Sequence, residues 1–523
     1  MKLKVLLLAL AESGIDKNHI PGRDINISSV TADSGKVIKN SLFVAFRGLT
    51  HDGHKYIPEA ESKGAGVIVG EKNKSELKLN KKTVYIKVDN SRNALGLLAS
   101  KYFGDPSAKL KVIGVTGTDG KTTTANLIYH ILTKSGKKAG AVSTISAKIG
   151  EKEIDTGFHV TNPDSVTLHS LLADMVKAKC EYAVIEVTSH GLDQYRVAGI
   201  NFDSAVLTNM SHEHLDYHKS FNNYLKTKLI LFQKAKSFVV LNRDDASYKT
   251  ISESITGGVK IQSYAILSKK ATLYAQNISL SEKGTEFEII DGINAYTQQT
   301  RLFGEYNAAN ILAAFLVAKE YGIANEKIKS AITTFASPPG RLQRIENNKG
   351  FEIFIDFAHT PNSLASVLKL FQDKLVKSQS GGKLIAVFGC AGERDTQKRE
   401  LMGEISAKYA DISIFTAEDP RSEKVEKIIS QIVKSARKST AVKLNFERYR
   451  DTVHSNKHYY LSIPERGVAI SFAIQKLAKK GDIVVICGKG HEKSMAYDSV
   501  EYPWSDQDAV KVALKGGVKE ITR

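Results

Sequence analysis

A glycine-rich loop at residues 116–124 has the composition of a phosphate-binding site. Its sequence, TGTDGKTTT, follows an apolar run and precedes an amphipathic one. Gly117 and Gly120 let backbone amides approach phosphate oxygens, and Lys121 can neutralise the terminal phosphates of a nucleotide. The hydroxyl of Thr122 is then placed to bind magnesium. The glycine spacing departs from the ordinary G-x-x-x-x-G-K-S/T pattern, so a glycine turn that binds no nucleotide is the alternative.

Two further side chains could hold a metal ion beside this loop. Glu186 ends the apolar run AVIEV, and His214 closely follows the run SAVLTN. If both runs are parallel strands, their carboxyl ends meet at the sheet edge where the glycine loop also opens. Carboxylate and imidazole ligands suit a divalent cation. Either residue alone is more typical of a solvated or structural side chain, so their joint placement with Lys121 is what favours a metal site.

The elements that must position these residues are short strands alternating with helices. Such alternation predicts a mostly parallel sheet covered by helices, with ligands at the carboxyl ends of the strands. The glycine loop would then join a strand to a helix, as phosphate binding requires. In this region strands are predicted at residues 110–115, 183–187, 204–209 and 238–242. Later in the chain, further strands are predicted at residues 352–357, 384–388, 412–416 and 483–487.

Two breaks rich in glycine and proline divide the chain into three predicted domains. The chain has 523 residues, which is too long for one hydrophobic core. The breaks are GDPS at residues 104–107 and SPPG at residues 337–340. The predicted fold class is α/β: a small α/β domain at residues 1–108, a central P-loop-type domain with a mostly parallel sheet at residues 109–338, and a Rossmann-like α/β domain at residues 339–523.

Composition favours a cytoplasmic protein with an anionic small-molecule partner. There are 74 Lys and Arg against 56 Asp and Glu, a formal charge of +18. The basic residues form no sustained run, so we expect no nucleic acid as partner. The three cysteines form no CxxC pair, which is typical of a reducing compartment. The apolar start at residues 3–10 resembles a secretory signal but predicts a core helix, and we expect no membrane insertion.

Six motifs in order make the chain resemble the Mur ligase family. They are GTDGKTT, EVTSHGLDQYRV, TNMSHEHLDYH, GEYNAAN, PGRLQ and DFAHTPNSL, at residues 117–123, 186–197, 208–218, 304–310, 339–343 and 356–364. The segments ADS, EDPR and GKGHE make it most similar to members that add the third residue of the peptide. The resemblance implies peptidoglycan synthesis: ATP converts a carboxylate of a UDP-N-acetylmuramoyl peptide into an acyl phosphate, which the amine of a free amino acid attacks.

The resemblance also implies a set of catalytic and metal-binding residues. Lys121, Glu186, His214 and Lys228 are the implied catalytic residues, and Thr122, Glu186, His214 and Lys228 are implied to hold Mg²⁺. Lys228 is similar to a family lysine that becomes carbamylated, with Lys226 as the alternative alignment. Without the resemblance, Lys228 would be interpreted as an exposed helix lysine.

ATP and the UDP-linked peptide have their own implied residues. For ATP they are Gly117, Thr118, Asp119, Gly120, Lys121, Thr122, Thr123, Asn307, Arg341, Asp356 and His359, the last against the base. For the UDP-linked peptide they are Ser34, Leu49, Thr50, His51, Thr161, Asn162, Ser189, Gln194 and Arg196. A guanidinium beside an amide, as at Arg196 and Gln194, suits a phosphate or a carboxylate.

The segment EDPR at residues 418–421 stands where the family recognises the incoming amino acid. Members that use meso-diaminopimelate commonly have DNPR there. Asp419 in place of asparagine removes hydrogen-bond donors and adds negative charge, so we expect a cationic side-chain end, as in L-lysine. The diaminopimelate pattern retained elsewhere keeps meso-diaminopimelate as the alternative. The predicted subsite comprises Arg399, Glu418, Asp419, Pro420, Arg421, Gly488 and Glu492.

Other functions remain open on the sequence alone. A sister ligase that adds glutamate or a dipeptide would share most of these motifs. A P-loop switch or motor would hydrolyse ATP without an amino acid. A basic nucleic-acid-binding protein would bind random DNA in a salt-sensitive way.

Overall fold

The computed structural model describes residues 1–10, 25–48, 51–154, 161–211, 215–281, 284–379, 381–444 and 457–521. They form two compact units. The first comprises Met1–Asn277, Phe287–Gln298 and Tyr306–Thr333, and the second comprises Ile278–Glu286, Gln299–Glu305 and Thr334–Arg523. Among the helices of these ranges, none has the length and apolar character needed to cross a membrane.

The first unit begins with a small parallel sheet. Its strands pair in chain order: β1 (Ser29–Thr31), β2 (Ser41–Val44), β3 (Ala65–Gly70) and β4 (Val84–Lys87). Its helices are α1 (Leu3–Leu7), α2 (Ile57–Ser62) and α3 (Ser91–Tyr102). Leu3, Leu6 and Leu10 are completely buried against this sheet's core. The apolar start is therefore core structure, as predicted.

The first unit also contains most of a large, mainly parallel sheet. Its strands are β5 (Lys111–Thr116), β6 (Ala139–Val142), β7 (Ala147–Ile149), β8 (Lys152–Ile154), β9 (Tyr182–Glu186), β10 (Ser204–Leu207), β11 (Phe238–Asn242), β12 (Lys260–Ala265), β13 (Leu273–Ser281), β14 (Gly284–Asp291) and β15 (Asn294–Thr300). They are ordered β15-β14-β13-β12-β11-β10-β5-β9-β6-β7-β8. The strands from β13 to β6 in this order pair parallel. The pairs β6–β7 and β7–β8 at one edge are antiparallel.

The helices that follow these strands include the one after the glycine loop. They are α4 (Lys121–Lys134), α5 (Ser165–Lys177), α6 (Ser189–Asp193), α7 (Leu215–His218), α8 (Phe221–Gln233), α9 (Tyr248–Ser254), α10 (Glu305–Glu320) and α11 (Asn325–Thr334). Leu127, Ile128, Ile131 and Leu132 of α4 are completely buried, as their helical spacing predicts. Because β5 lies between β9 and β10, three strands end side by side around the glycine loop. Such a point of a parallel sheet is a common ligand site.

A close backbone approach joins the small sheet's helix to the large sheet's domain. A Cβ added at Gly96 of α3 would lie 2.5 Å from the Cβ of Ala198. The hydroxyl of Ser100 also donates to the carbonyl of Gly199 at 3.2 Å. The turn that carries the predicted substrate residues therefore packs directly against the first sheet's domain.

The second unit contains a mostly parallel sheet and a separate hairpin. The sheet strands are β16 (Gln343–Ile345), β17 (Glu352–Asp356), β18 (Leu384–Phe388), β19 (Ile412–Phe415), β20 (Val442–Lys443), β21 (Tyr459–Ser462) and β22 (Ile483–Cys487), in the order β16-β17-β22-β18-β19-β21-β20. The hairpin pairs β23 (Ser494–Tyr497) with β24 (Val500–Pro503). The helices are α12 (Pro361–Ser378), α13 (Gln397–Tyr409), α14 (Val425–Lys438), α15 (Arg466–Phe472) and α16 (Asp506–Leu514).

Candidate active site

The glycine loop adopts a conformation that requires glycine at two positions. Gly117 has φ 153° and Gly120 has φ 80°. A Cβ at Gly117 would lie 1.8 Å from the hydroxyl of Thr208, and one at Gly120 would lie 2.4 Å from Oδ1 of Asn310. The loop is thus pressed against the end of β10 and against α10, which leaves its backbone little freedom.

Side chains from the end of β10 hold the loop in place. The amide of Asp119 donates to Oδ1 of Asn209 at 2.9 Å, and its carbonyl accepts from Thr208 and Asn209 at 2.6 and 3.1 Å. The hydroxyl of Thr118 lies 3.1 Å from that of Tyr224. Thr208 and Asn209 were not singled out in the sequence, although both lie in the motif at residues 208–218.

Lys121, Thr122 and Thr123 begin helix α4 directly after the loop. The ammonium of Lys121 donates to the carbonyl of Thr118 at 2.6 Å, so it lies over its own loop. Thr122 and Thr123 are buried. The helix N-terminus and the lysine together place positive potential where phosphates would bind.

Glu186 is brought to the same place by strand β9. It is almost completely buried, and the hydroxyl of Thr122 lies 3.0 Å from each of its carboxylate oxygens. The amide of Thr144 also donates to Glu186 Oε2 at 3.0 Å. A hydroxyl and a carboxylate, both oxygen ligands, fit a magnesium ion. Predicted His214 lies outside the described residues.

Lys228 lies against the loop, and Lys226 does not. Lys228 is 1% exposed, whereas Lys226 is exposed on the other side of α8. The ammonium of Lys228 donates to the carbonyl of Gly117 at 2.7 Å and to the hydroxyl of Thr116 at 3.2 Å, and it lies 4.8 Å from the Tyr224 ring centre. The interpretation as an exposed helix lysine is therefore wrong, because α8 packs this face against β5.

Asn307 reaches the loop through a neighbour. Its Oδ1 accepts a hydrogen bond from Asn310 at 3.1 Å, and Asn310 also accepts from Thr124 of α4. Asn310 was missed in the sequence, although it ends the GEYNAAN motif.

Hydrogen bonds connect three of the predicted peptide-binding residues of the large sheet's domain, Asn162, Gln194 and Arg196. Buried Asn162 donates to the carbonyl of Glu186 at 2.6 Å and accepts from the amide and hydroxyl of Thr188. Arg196 donates to the carbonyl of Asn162 at 2.7 Å and to Gln194 Oε1 at 2.9 Å. Burial lowers the pKa of Arg196. Asn162 thus links the end of strand β9, at Glu186, to the turn that presents the arginine.

The remaining predicted peptide residues have smaller contacts. The hydroxyl of Thr144 donates to that of Thr161 at 3.0 Å, and Ser189 is buried at the start of α6. In the small sheet's domain, the hydroxyl of Ser34 donates to Glu59 at 2.9 Å and His51 is exposed. Leu49 and Thr50 lie outside the described residues.

In the second unit, Asp356 orders the backbone around Arg341. Its carboxylate accepts from the amides of Leu342 at 2.6 Å and Ala358 at 2.7 Å. The guanidinium of Arg341 lies 4.6 Å from the Phe357 ring centre, and the His359 ring lies 4.6 Å from the same ring. An aromatic and cationic surface of this kind suits a nucleotide base and its phosphates.

The EDPR segment combines strained backbone with buried charge. Asp419 and Arg421 have φ 42° and 55°, the left-handed region that L side chains rarely adopt. Asp419 accepts from Lys489 at 2.7 Å and from the amide of Ala496 at 2.9 Å, and Lys489 lies 2.5 Å from Glu492. Burial would lower the pKa of Lys489, but the two carboxylates raise it, so the lysine stays charged. Lys489 was not singled out in the sequence.

Glu418 lies in the same segment, and among the described residues it forms no salt bridge, although Lys398, Arg466 and Lys489 are near enough to act on its charge. It is 5% exposed, and within the described part of the chain its Oε2 has no hydrogen-bond partner. Burial raises the pKa of Glu418 to about 7. A Cβ at Gly488, where φ is 110°, would lie 2.3 Å from Glu418 Oε2, so this glycine makes room for the carboxyl group.

Arg399 and Pro420 have internal partners. Arg399 is completely buried, and it donates to both oxygens of Glu423 at 2.9 and 3.0 Å and to Gln431 at 2.7 Å. The same contact lowers the pKa of Glu423 to about 2. The carbonyl of Pro420 accepts from the Glu423 amide at 3.1 Å. Arg399 therefore anchors the turn that follows the EDPR segment.

Comparison with known proteins gives the family. Family models match residues 26–103 (Mur ligase family, catalytic domain), 115–318 (Mur ligase middle domain) and 340–490 (Mur ligase, glutamate ligase domain). The chain belongs to the Mur ligase family. It is an ATP-dependent ligase with the three-domain fold of that family, and ATP and Mg²⁺ are the cofactors that Mur ligases use.

Individual Mur ligases are similar over nearly the whole chain. UDP-N-acetylmuramoyl-L-alanyl-D-glutamate–2,6-diaminopimelate ligase 1 of Clostridium acetobutylicum is 37% identical over 495 residues, 94% of this chain and 95% of that one. UDP-N-acetylmuramyl-tripeptide synthetase of Roseiflexus is 36% identical over 528 residues, 98% and 99% of the two chains. A solved structure of a UDP-N-acetylmuramoyl-L-alanyl-D-glutamate–2,6-diaminopimelate ligase has a TM-score of 0.64 and 27% identity, and covers 94% of this chain and 95% of its own.

Proposed function

We propose that this Mur ligase adds a diamino acid to UDP-N-acetylmuramoyl-L-alanyl-D-glutamate in peptidoglycan synthesis, and that the amino acid is meso-diaminopimelate. The observation that carries the proposal is the joint placement of the phosphate loop, Thr122, Glu186 and Lys228 in a chain that matches tripeptide-forming Mur ligases over nearly its whole length.

The chemistry needs an activated carboxylate. Phosphoryl transfer from ATP to a carboxylate of the D-glutamate residue makes an acyl phosphate and releases ADP. The amine of the incoming amino acid attacks the carbonyl carbon, and phosphate leaves as the amide forms. Charge spreads over the transferring phosphoryl oxygens, so fixed positive groups accelerate the first step.

The phosphate loop and its neighbours supply those positive groups. Loop amides and the N-terminus of α4 would bind the phosphates, and Lys121, which lies over the loop, would neutralise their terminal oxygens. Thr122 and Glu186 would hold magnesium, which would supply positive charge to the phosphates; the family resemblance adds His214, which lies outside the described residues. Arg196 binds an acidic group of the UDP-linked peptide.

Carbamylation of Lys228 is part of the proposal. The ammonium would first lose a proton, and the resulting amine would add carbon dioxide and lose a second proton, which converts a buried cation into a carbamate anion. Its position against the carbonyl of Gly117 and the hydroxyl of Thr116 puts that anion beside the phosphate loop. Enzyme equilibrated with ¹³C-bicarbonate should show a carbamate ¹³C signal that is kept in Lys226→Met and missing in Lys228→Met. A signal retained in Lys228→Met would contradict the assignment.

The choice of meso-diaminopimelate over L-lysine is based on two observations. Asp419, whose added charge favoured lysine on the sequence, already forms an ion pair with buried Lys489 and accepts from the amide of Ala496, so its carboxylate is engaged within the protein. The second is that the Clostridium relative and the solved structure are named for 2,6-diaminopimelate. The nearby guanidinium of Arg421 suits the additional carboxylate of this substrate.

Phosphate release measured with UDP-N-acetylmuramoyl-L-alanyl-D-glutamate, ATP and magnesium across a panel of amino acids tests the proposal. We expect turnover with meso-diaminopimelate and one phosphate released per tripeptide. Turnover with L-lysine alone would overturn the choice of amino acid and restore the sequence-based prediction. ATP hydrolysis that needs no amino acid would overturn the ligase assignment in favour of an ATPase switch.

A cytoplasmic location is also proposed. All three cysteines are buried free thiols, as expected in a reducing compartment.

A further inference from the structure

Arg466 is a completely buried arginine at the start of helix α15 in the second unit. One nitrogen of its guanidinium donates to the carbonyl of Ala417 at 3.2 Å and another to the carbonyl of Cys487 at 2.9 Å. Ala417 directly precedes the EDPR segment, and Cys487 directly precedes Gly488 and the rest of the GKGHE segment. One side chain is therefore bonded to the backbone at the start of both segments.

The two strands that carry these segments are not neighbours. β19 and β22 are separated by β18, which pairs with both, so the two strands share no direct ladder of hydrogen bonds. Beyond the strand ends, the side chains of Asp419 and Lys489 form an ion pair between the two segments. The end of β18 is cleared for a close crossing, because a Cβ at Gly389 would lie 2.3 Å from the carbonyl of Thr416. Arg466 spans this gap from outside the sheet.

The guanidinium is itself held by Asp506. Nε and a terminal nitrogen of Arg466 each donate to one oxygen of Asp506 at 2.7 Å, and the indole of Trp504 donates to Asp506 at 2.8 Å. Burial would lower the pKa of Arg466, but the carboxylate of Asp506 raises it, so the arginine stays charged. A bidentate pair fixes both the position and the orientation of the guanidinium plane.

Stability does not explain such a pair well. A buried ion pair costs two desolvated charges, and well-packed apolar residues often stabilise a core equally well. What an apolar side chain cannot do is bond two carbonyls at defined points. We infer that Arg466, held by Asp506 and Trp504, is a positioning residue for the amino-acid subsite: it sets the distance between the backbones of Ala417 and Cys487, after which the EDPR and GKGHE segments begin. This inference rests on the proposed function, which places the incoming amino acid between these segments.

Steady-state kinetics of Asp506→Asn and Arg466→Lys test the inference. Asn keeps the shape of Asp but loses its charge, and Lys keeps the charge of Arg but cannot make the forked contacts. We expect the KM for the amino acid to rise about tenfold or more, because small displacements of a binding group cost this much. The KM for ATP and for the UDP-linked peptide should stay within about twofold of wild type.

Lys374→Met is the matched control. Lys374 forms a largely buried ion pair with Glu352 at 2.6 Å in the same unit, on elements that carry neither segment. It should lower thermal stability without a selective change in the KM for the amino acid. Trp504→Phe keeps the ion pair and removes one donor to Asp506, so it gives a smaller selective rise and serves as the test if the charge variants do not fold.

The outcomes separate the inference from the proposed function. If wild-type enzyme turns over no amino acid of the panel, the proposed function and the inference both fail. If wild type turns over but all KM values rise together in folded variants, or none changes, then Arg466 is only structural and the inference alone is overturned.

Discussion

Glu418→Gln should change how the stability of the second unit depends on pH. The ordinary carboxyl pKa of 4.5 is raised to about 7 in the folded chain, because burial disfavours the charged form of Glu418. Below pH 4.5 the group is protonated in the folded and unfolded states, so it costs nothing. Above about pH 7 it is ionised in both states, and the folded state carries the full cost of the buried charge. The wild-type chain therefore loses stability as pH rises through this window.

The magnitude follows from the shift. Each pKa unit corresponds to about 1.4 kcal/mol, so a rise from 4.5 to about 7 corresponds to about 3 kcal/mol. Glutamine does not ionise, so Glu418→Gln lacks this loss. Any constant cost of placing an amide in the pocket is the same at every pH. The free energy of unfolding of the variant minus that of wild type should thus increase by about 3 kcal/mol between pH 4.5 and 8.

Urea unfolding at a series of pH values measures this difference. Trp504 is the only tryptophan of the chain, and it is buried in the second unit, so its fluorescence reports the unfolding of that unit. If the difference between variant and wild type is the same at pH 5 and pH 8, Glu418 has its ordinary pKa in the folded state and the reasoning from burial is refuted.

Three further predictions concern the phosphate loop. Thr122→Val removes the hydroxyl that donates to Glu186, the proposed metal ligand, and should reduce activity about 10- to 100-fold when activity is measured against magnesium concentration. An unchanged dependence of activity on magnesium would contradict the metal assignment. Lys228→Met should reduce kcat about 10²- to 10³-fold, while Lys226→Met, an exposed change on the same helix, should not; equal losses would mean that the helix, not the site, is affected. Gly120→Ala and Gly136→Ala both place alanine at a positive φ, of 80° and 86°, but only the first adds a methyl group near another side chain. The KM for ATP should therefore rise about tenfold or more in the first alone, and a similar rise in both would show that strain acts only through overall folding.

Most of the sheet strands could be predicted because their signal is local. Buried parallel strands are continuous apolar runs between turn residues, and the runs at residues 238–242, 384–388 and 483–487 coincide with β11, β18 and β22. The strand, glycine loop and helix around residue 117 were predicted for the same reason. The predicted strand at residues 204–209 ends two residues earlier, since Thr208 and Asn209 turn to hold the loop.

The contacts within the sites could not be predicted in this way. Helical spacing puts Lys228 on the apolar face of α8 and Lys226 off it, but spacing does not show that this face packs against β5 beside the phosphate loop. The charge of Asp419 was interpreted as available to a substrate, because its partner Lys489 lies 70 residues away in the sequence.

The sequence by itself determined the order of strands and helices, the phosphate loop and the family motifs, since each depends on residues close together in the chain. The tertiary structure decided which partners the buried carboxylates have: Glu186 accepts from the hydroxyl of Thr122, Asp419 pairs with Lys489, and Asp506 pairs with Arg466. These contacts depend on distances of a few ångströms between distant segments, and only the folded chain sets those distances.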